Sequence, residues 1–528
     1  MWIKFVDKSL VDLSLDDCSV VQKESISDAC SFSEFPGDEP RVIKGGEEYV
    51  GVVMPAAPSR EIFCYRNVNG EVIYTDSFFD LLESVDSLNE SASSADFFLK
   101  KNIFPPGKTL YKEISRLLPG RIYFFDQNAV YVELSDSVSA GRGVSFEDFE
   151  NLFDEVVRQR VENKDVGVLL SSGVDSTAVI LSAAKCSKSI KSFTMGYSPQ
   201  IKGVAADIIG ADHTARYLGV SHRVIEVDIA SYDTASLATF VRRMPMSAGL
   251  PVGYERLLET MSEESISVAL TGQNADLLYN LSATDRPGLN RAGMTALFRR
   301  WFLTDSYFKY LDPQENSGLV SRVGHAFLER AGATLYSRFK GAAYQSPQDC
   351  QQLYQSFINS ADVVVFKRSN EDCLSSAKAI NSKNVYKMLV RNKLEQDMML
   401  CDSQMIRRSA EHNGIEVFFP FSDGNMIDLW FRKNMSFKDV FYPKRYIRQY
   451  VEKNFPSYGE RDRLASKNKG GLDAHAWARK VLLTDFGKQL KEESCSEPTE
   501  NVTSYKYLMY QIAVFWLNEI RRIRRSHE

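Results

Sequence analysis

Long apolar runs are missing from this chain, and no stretch of its 528 residues approaches the length needed to span a bilayer. The opening segment, "MWIKFVDKSLVDLSLDD", has neither a continuous apolar core nor a small-residue cleavage site, so no secretory signal is expected. Cysteine is sparse: eight residues, at positions 18, 30, 64, 186, 350, 373, 401 and 495, none of them in a CxxC pair. That scatter argues against a disulfide or zinc scaffold and fits a reduced, cytoplasmic protein. A large excess of one charge is absent too. A net charge of −5 removes any strong case for a nucleic-acid-binding surface and leaves room only for local basic patches. Internal repeats and low-complexity tracts are also lacking. The expectation is a cytoplasmic protein whose partners are neither membrane nor nucleic acid.

What is present is ordinary globular material, 44% hydrophobic and 25% charged, in a chain long enough for several domains. Residues 1–135 read as strand-rich: "EEYVGVVMP", "REIFCYRNVNGEVIYTD" and "GRIYFFDQNAVYVEL" are short β-type segments broken by turn residues. "SLNESASSAD" reads as polar and turn-like. The Ser- and Gly-rich stretch ending at residue 145 makes 136–145 a linker. From 146 the pattern alternates. A helix over "FEDFENLFDEVVRQRVE" precedes a strand at 166–170, a helix from Ser176, the strand "KSFTMGY", a helix around "AADIIGADHTARYLG", the strand "HRVIEVD" and a fourth strand, "SISVAL". That alternation predicts an α/β fold with a doubly wound parallel sheet. From 290 on the pattern is mostly helical.

The stretch "DVGVLLSSGVDSTAVILSAA", residues 165–184, carries the first chemical signal. A buried-type strand breaks at Ser171-Ser172-Gly173 and resumes as a helix. In a doubly wound sheet ligands bind beyond the carboxyl ends of the strands. A helix N-terminus there supplies unpaired N–H groups and partial positive charge, which suit a phosphate. An aspartate beside phosphates makes sense when Mg²⁺ lies between them. Asp and Ser are also common helix caps, so the turn alone does not settle the matter. "TGQNAD" repeats the arrangement after the fourth strand, with a second carboxylate, Asp276.

At this point the sequence resembles the asparagine-synthetase-type amide ligases. "SSGVDS" is similar to their SGGxDS pyrophosphate loop and "TGQNAD" to their SGxGxD loop. "GKTLYKEISRLLPG", "SFTMGY", "ADHTARYLGVSHRVIEV", "GIEVFFPFSD" and "KRYIRQYVEKNFP…KGGLD" resemble further family segments in the family's order. The resemblance implies a vestigial, Ntn-hydrolase-like αββα glutaminase domain over 1–135 and an ATP-pyrophosphatase domain over 146–528. It implies ATP and Mg²⁺ as cofactors, and formation of an acyl-adenylate that a nitrogen nucleophile converts to an amide. Carried over position by position, Ser171, Ser172, Gly173, Val174 and Ser176 fall on the pyrophosphate loop, and Asp175 and Asp276 on the metal positions. Leu170, Met195, Thr271 and Gly272 fall where adenosine is held. Lys469 falls on the lysine that stabilises acyl transfer, with Lys467 two residues earlier as the other candidate.

The departures narrow the reading. Ser172 replaces a glycine, and Phe418 replaces the arginine of E-x-R-x-P-F, which implies an acceptor pocket shifted toward the apolar. Gln273 stands where relatives carry Glu or Tyr; an amide is no base near neutral pH, so it would orient substrate by hydrogen bonds. Trp2 stands where glutamine-hydrolysing relatives expose a cysteine, and Cys18 is a poor substitute for that nucleophile. The nitrogen must then be free ammonia or an amine on the substrate. Relatives of this character are the lasso-peptide macrolactam cyclases and β-lactam synthetases. The substrate expected is a peptide or small-molecule carboxylate, with a precursor peptide and its protease as possible partners. An ammonia-dependent amidating enzyme and a catalytically silent nucleotide-binding homologue are the alternatives. A PP-loop tRNA-modifying enzyme is disfavoured by the acidic balance and the missing CxxC.

Overall fold

The computed structural model describes residues 2–6, 9–14, 19–22, 38–45, 48–55, 57–67, 72–124, 131–133, 144–187, 189–198, 204–228, 232–275, 402–432, 444–458, 474–494 and 504–527. The strand-rich reading of residues 1–135 is borne out by ten strands among the described residues. They are β1 (Trp2–Val6), β2 (Ser9–Ser14), β3 (Ser19–Gln22), β4 (Arg41–Gly45), β5 (Glu48–Met54), β6 (Phe63–Arg66), β7 (Val72–Thr75), β8 (Ile114–Arg116), β9 (Arg121–Phe124) and β10 (Tyr131–Glu133). They build two five-stranded sheets, β2-β1-β7-β6-β8 and β10-β9-β5-β4-β3. Alternation explains the layering. Cys64 and Tyr74 of the first sheet face Val42, Val52, Met54 and Tyr123 of the second. Their neighbours Phe63, Tyr65 and Ile73 face outward, onto α1 (Phe78–Ser84) and α2 (Ala92–Lys101). Trp2 is part of an interior strand, its backbone paired with Ser14 on one side and Thr75 on the other.

Helix α2 corrects the reading of "SLNESASSAD" as a turn. The serines misled because they favour caps and turns. Ser91 is indeed a cap, its hydroxyl accepting from the Ser94 amide at 3.3 Å. The helix that follows is held by tertiary burial of Phe97 and Phe98, the latter with its ring centroid 4.3 Å from that of Phe104 and tilted 35° to it.

The alternating part begins with α3 (Phe146–Val161), whose start carries a reciprocal capping box between Ser145 and Asp148. Then come β11 (Val166–Leu169), α4 (Val174–Cys186), β12 (Ile190–Ser198), α5 (Val204–Leu218), β13 (Ser221–Asp228), α6 (Thr234–Arg243), α7 (Val252–Glu263) and β14 (Val268–Thr271). A fifth strand not read from the sequence, β15 (Glu416–Phe418), follows α8 (Asp402–His412). The sheet order is β13-β12-β11-β14-β15 and every pairing is parallel. Helices cover both faces, as the doubly wound expectation requires. Val166, Val168, Val268 and Leu270 pack against α3, α4, α9 (Gly424–Arg432) and α10 (Arg445–Asn454). Phe193, Ile225 and Ala269 pack on the opposite face against α7 and α8.

The late helices α11 (Ala474–Leu483), α12 (Asp485–Ser494) and α13 (Ser504–Arg525) agree with a helical C-terminal part. They also tie the two regions together: Trp516, Phe515 and Ile512 of α13 share one core with Phe78 and Leu82 of α1 and with Phe240 of α6. Arg524 donates to the carbonyls of Leu82, Val85 and Asp86, taking the acceptors left open at the end of α1. No helix among the described residues is long and apolar enough to cross a membrane.

Candidate active site

The strand order reverses between β11 and β14, and a doubly wound sheet opens a crevice at that point. Both phosphate-type loops leave the sheet there. Leu170 is tied to β12 by its amide to the Phe193 carbonyl at 2.8 Å and by the Thr194 hydroxyl to its own carbonyl at 2.5 Å. The chain then turns into α4. Helix α4 starts at Val174, two residues earlier than its apolar spacing predicts, with Gly173 as an N-cap that offers no side-chain acceptor. The first-turn amides of α4 have no intrahelical partner, which is the arrangement an anion uses. Hydroxyls shape the loop. The Ser171 amide donates to Ser176 Oγ at 3.1 Å, the two hydroxyls lie 3.0 Å apart, and the Gly173 amide donates to Ser171 Oγ at 3.1 Å.

The second loop presses against this turn. A β-carbon on Gly272 would lie 2.5 Å from the Ser176 amide nitrogen and 2.7 Å from the Asp175 carbonyl carbon. Only glycine permits that approach. Two positions on, Asn274 adopts a left-handed conformation, φ +73°. It occupies the second glycine position of the motif, and asparagine tolerates that region better than other side chains. Both ends of its side chain are bonded: Oδ1 accepts from Ser403 at 2.6 Å and Nδ2 donates to Ser422 at 2.8 Å. The loop is thereby pinned to α8 and to the 3₁₀ turn Pro420–Ser422.

Between the loops lies a cavity of about 450 Å³, within the usual range for small-molecule sites. Ser171, Gly173, Asp175, Ser176, Thr271, Gly272 and Gln273 form its polar side; Leu170 and Met195 belong to its apolar side. Those nine sequence-predicted positions come together here. Ser172 and Val174 do not line it; Val174 is 7% exposed and packs into the core. Asp276, Lys467 and Lys469 lie outside the described residues. The apolar end also has Phe193, within the "SFTMGY" segment, and Tyr254, Leu257 and Ile406, which lie outside the motifs. The only sequence signal of these last three is core-type periodicity.

Lys444, which opens the "KRYIR" segment, is a charged residue at this site to which the motifs assign no role. In the structure its Nζ lies 2.5 Å from Asp175 Oδ2, with both side chains largely buried. Lys444 is itself in the left-handed region, φ +57°, at the N-cap of α10. A non-glycine residue held there costs energy and marks a position the surroundings determine. Asp175 therefore sits at the positive end of α4 with a cation beside it. A buried carboxylate at a polyphosphate-type cradle is a suitable hard oxygen donor for Mg²⁺.

Phe418 does not join this cavity. It is 4% exposed, lies under the Arg160 guanidinium at 4.8 Å, and borders a separate, polar cavity of about 740 Å³ that also has Asp38 and Arg60 on its wall. The expected apolar change is thus not at the loop cavity. Asp423, which closes the same segment, accepts from the Asn425 amide at 2.9 Å and so serves the start of α9; burial pushes its carboxyl above the ordinary value.

A comparison with curated proteins gave no match. Among solved structures, an NH3-dependent NAD synthetase from Campylobacter jejuni subsp. jejuni NCTC 11168, in complex with the nitrate ion, is similar at 16% identity, covering 41% of this chain and 95% of its own, with a TM-score of 0.21. The U34-tRNA thiolase NcsA from Methanococcus maripaludis is similar at 12% identity, covering 42% of this chain and 83% of its own, with a TM-score of 0.18. Neither likeness bears on what the chain does. The asparagine synthase family matches residues 148–505, about two thirds of the chain and the whole parallel sheet with both loops. This chain belongs to the asparagine synthase family, ATP-using ligases of the amide-forming type.

Proposed function

We propose that the chain adenylates a carboxylate and lets an amine carried by the same substrate attack it, closing a ring in a peptide or small natural product. The observation that carries this reading is the meeting of both loops at the switch point, with Asp175 and Lys444 at the head of α4. In the first step a substrate carboxylate oxygen attacks the α-phosphorus of ATP, and the bond to the β,γ-pyrophosphate breaks. In the second the amine attacks the acyl carbon, AMP leaves with the electron pair of the broken C–O bond, and the amine loses a proton. The α4 amides and the Ser171 and Ser176 hydroxyls hold the pyrophosphate. Leu170, Met195 and Tyr254 shelter the base. Gln273 orients the acyl or amine group by hydrogen bonds. Held by Asp175, with Asp276 as the second ligand the family resemblance implies, Mg²⁺ would offset charge on the departing pyrophosphate.

The testing experiment is ATP–pyrophosphate exchange across a panel of peptide and small-molecule carboxylates, followed by mass analysis for a product lighter by one water. A product lighter by one mass unit, formed with added ammonia, would replace ring closure by amidation. Absence of exchange with every carboxylate would leave the silent-homologue reading.

Lys469 is assigned to the negative charge that develops during acyl transfer. Lys469→Met keeps most of the stem's volume and removes the charge, so amide formation is expected to fall by about a hundredfold or more with ATP binding retained. Lys467→Met is expected to keep most activity. The reverse pattern would move the role two residues; normal turnover in both would end it.

Trp2 leads to a further expectation. With no cysteine at that position, glutamine is expected to yield no glutamate above background, with or without substrate, in a coupled glutamate assay. Substrate-stimulated release would overturn the vestigial-glutaminase reading.

A further inference from the structure

Asp207 belongs to no chemical assignment made from the motifs, yet it touches the pyrophosphate-type loop. It lies in the first turn of α5, in a different strand–helix unit. Its Oδ1 accepts two hydrogen bonds from one residue, from the Ser172 amide at 3.1 Å and from the Ser172 hydroxyl at 2.6 Å. Asp207 lines the 450 Å³ cavity, whereas Ser172 does not. One loop amide is therefore held by a carboxylate that lines the cavity, and Ser171, Gly173 and Ser176 line the same wall. Ser172 is also the position at which this chain departs from the glycine of the motif, so the hydroxyl half of the contact is this chain's own.

A carboxylate beside a polyphosphate site would be unfavourable if it acted only through its charge. Two charge-assisted hydrogen bonds to one oxygen are short-range and directional, whereas like-charge repulsion across a solvent-filled cavity is screened. We propose that Asp207 is a positioning residue: with Ser172 it clips the pyrophosphate loop to α5 and fixes the direction of the neighbouring amides. Ser172 is then the second half of a clip and not a defect in a glycine-type loop. The proposal rests on the reading of this cavity as the ATP site.

The test is calorimetric titration of the full chain with Mg·ATP, Mg·pyrophosphate and AMP. The variants are Asp207→Ala, Asp207→Asn, Ser172→Ala and the double Ser172→Ala/Asp207→Ala. Loss of the clip is expected to weaken Mg·ATP and Mg·pyrophosphate by about tenfold or more in Asp207→Ala. AMP, which lacks the β- and γ-phosphates, is expected to bind that variant within about twofold of the wild type. Asp207→Asn still presents an acceptor to both donors, so it is expected to restore most of the affinity. The double variant is expected to be no weaker than Asp207→Ala, because one contact is removed twice.

Three results overturn the clip while wild-type Mg·ATP binding stands. These are equal or tighter Mg·ATP binding by Asp207→Ala, an equal loss for AMP and ATP, or an asparagine variant no better than alanine. Tighter binding would mean that Asp207 competes with phosphate. A wild-type chain that binds none of the three ligands overturns the ATP-site reading and the clip with it.

Discussion

Asp175→Asn is expected to leave a folded chain whose ATP–pyrophosphate exchange, measured with the most active carboxylate of the panel, falls by about a thousandfold or more. The substitution keeps the side chain's size and removes its charge at the head of α4. If Asp175 holds Mg²⁺, the loss removes several kcal/mol of charge stabilisation from the departing pyrophosphate, and about 4 kcal/mol corresponds to a thousandfold. A second consequence separates this from simple damage. Lys444 Nζ lies 2.5 Å from Asp175 Oδ2, so the single variant takes a carboxylate away from a largely buried ammonium. Stability is expected to fall by roughly 1–3 kcal/mol in chemical denaturation. Adding Lys444→Met removes both charges, and the double variant is expected to recover much of that stability. Exchange is expected to stay lost, because stability returns and the metal ligand does not. Exchange within tenfold of the wild type in Asp175→Asn would remove the residue from the catalytic site.

Gly272→Ala tests the cradle by geometry alone. The added methyl would meet Ser176 N at 2.5 Å and Asp175 C at 2.7 Å, backbone atoms that cannot rotate aside. Either β14 or the first turn of α4 must shift by several tenths of an ångström. The amides of that turn then no longer converge on one anion. Losing two hydrogen bonds to phosphate, at roughly 2 kcal/mol each, amounts to about a thousandfold in Mg·ATP affinity. Titration calorimetry reads this directly. Gly219→Ala is the control: Gly219 has φ +66° and nothing within 4 Å of an added β-carbon. It is expected to cost about 1–2 kcal/mol of stability through backbone strain and to leave ATP binding unchanged. Wild-type affinity in Gly272→Ala would mean that the two loops do not form one site.

What the sequence by itself determined was local. The alternation of strand and helix from 146 to 228, and the strand near 268–271, was legible because apolar period reports burial of each segment, whichever partner buries it; α6 and α7 between them were not read. The loops "SSGVDS" and "TGQNAD" were legible because small residues, hydroxyls and aspartates are unusual between a buried strand and a helix. Residues 87–91 are non-helical as their polar, turn-like composition suggests, whereas 92–96 belong to α2: their serines speak for caps and turns, while Phe98, which holds the helix down, gains its burial from Phe104 and the α13 core.

Only the tertiary structure decided which side chains share the cavity. Parallel pairing of β11 with β14 brings Gly272 onto the head of α4 from about a hundred residues away in the chain. Lys444 reaches Asp175 across 269 positions, and Asn274 finds Ser403 and Ser422 across 129 and 148. Asp207 meets Ser172 because α5 packs beside α4. No period records such pairs. A side chain several strands away enters the sequence as one polar residue among many, and only closure of the sheet, which sets the helix ends a few ångströms apart, makes it part of a site.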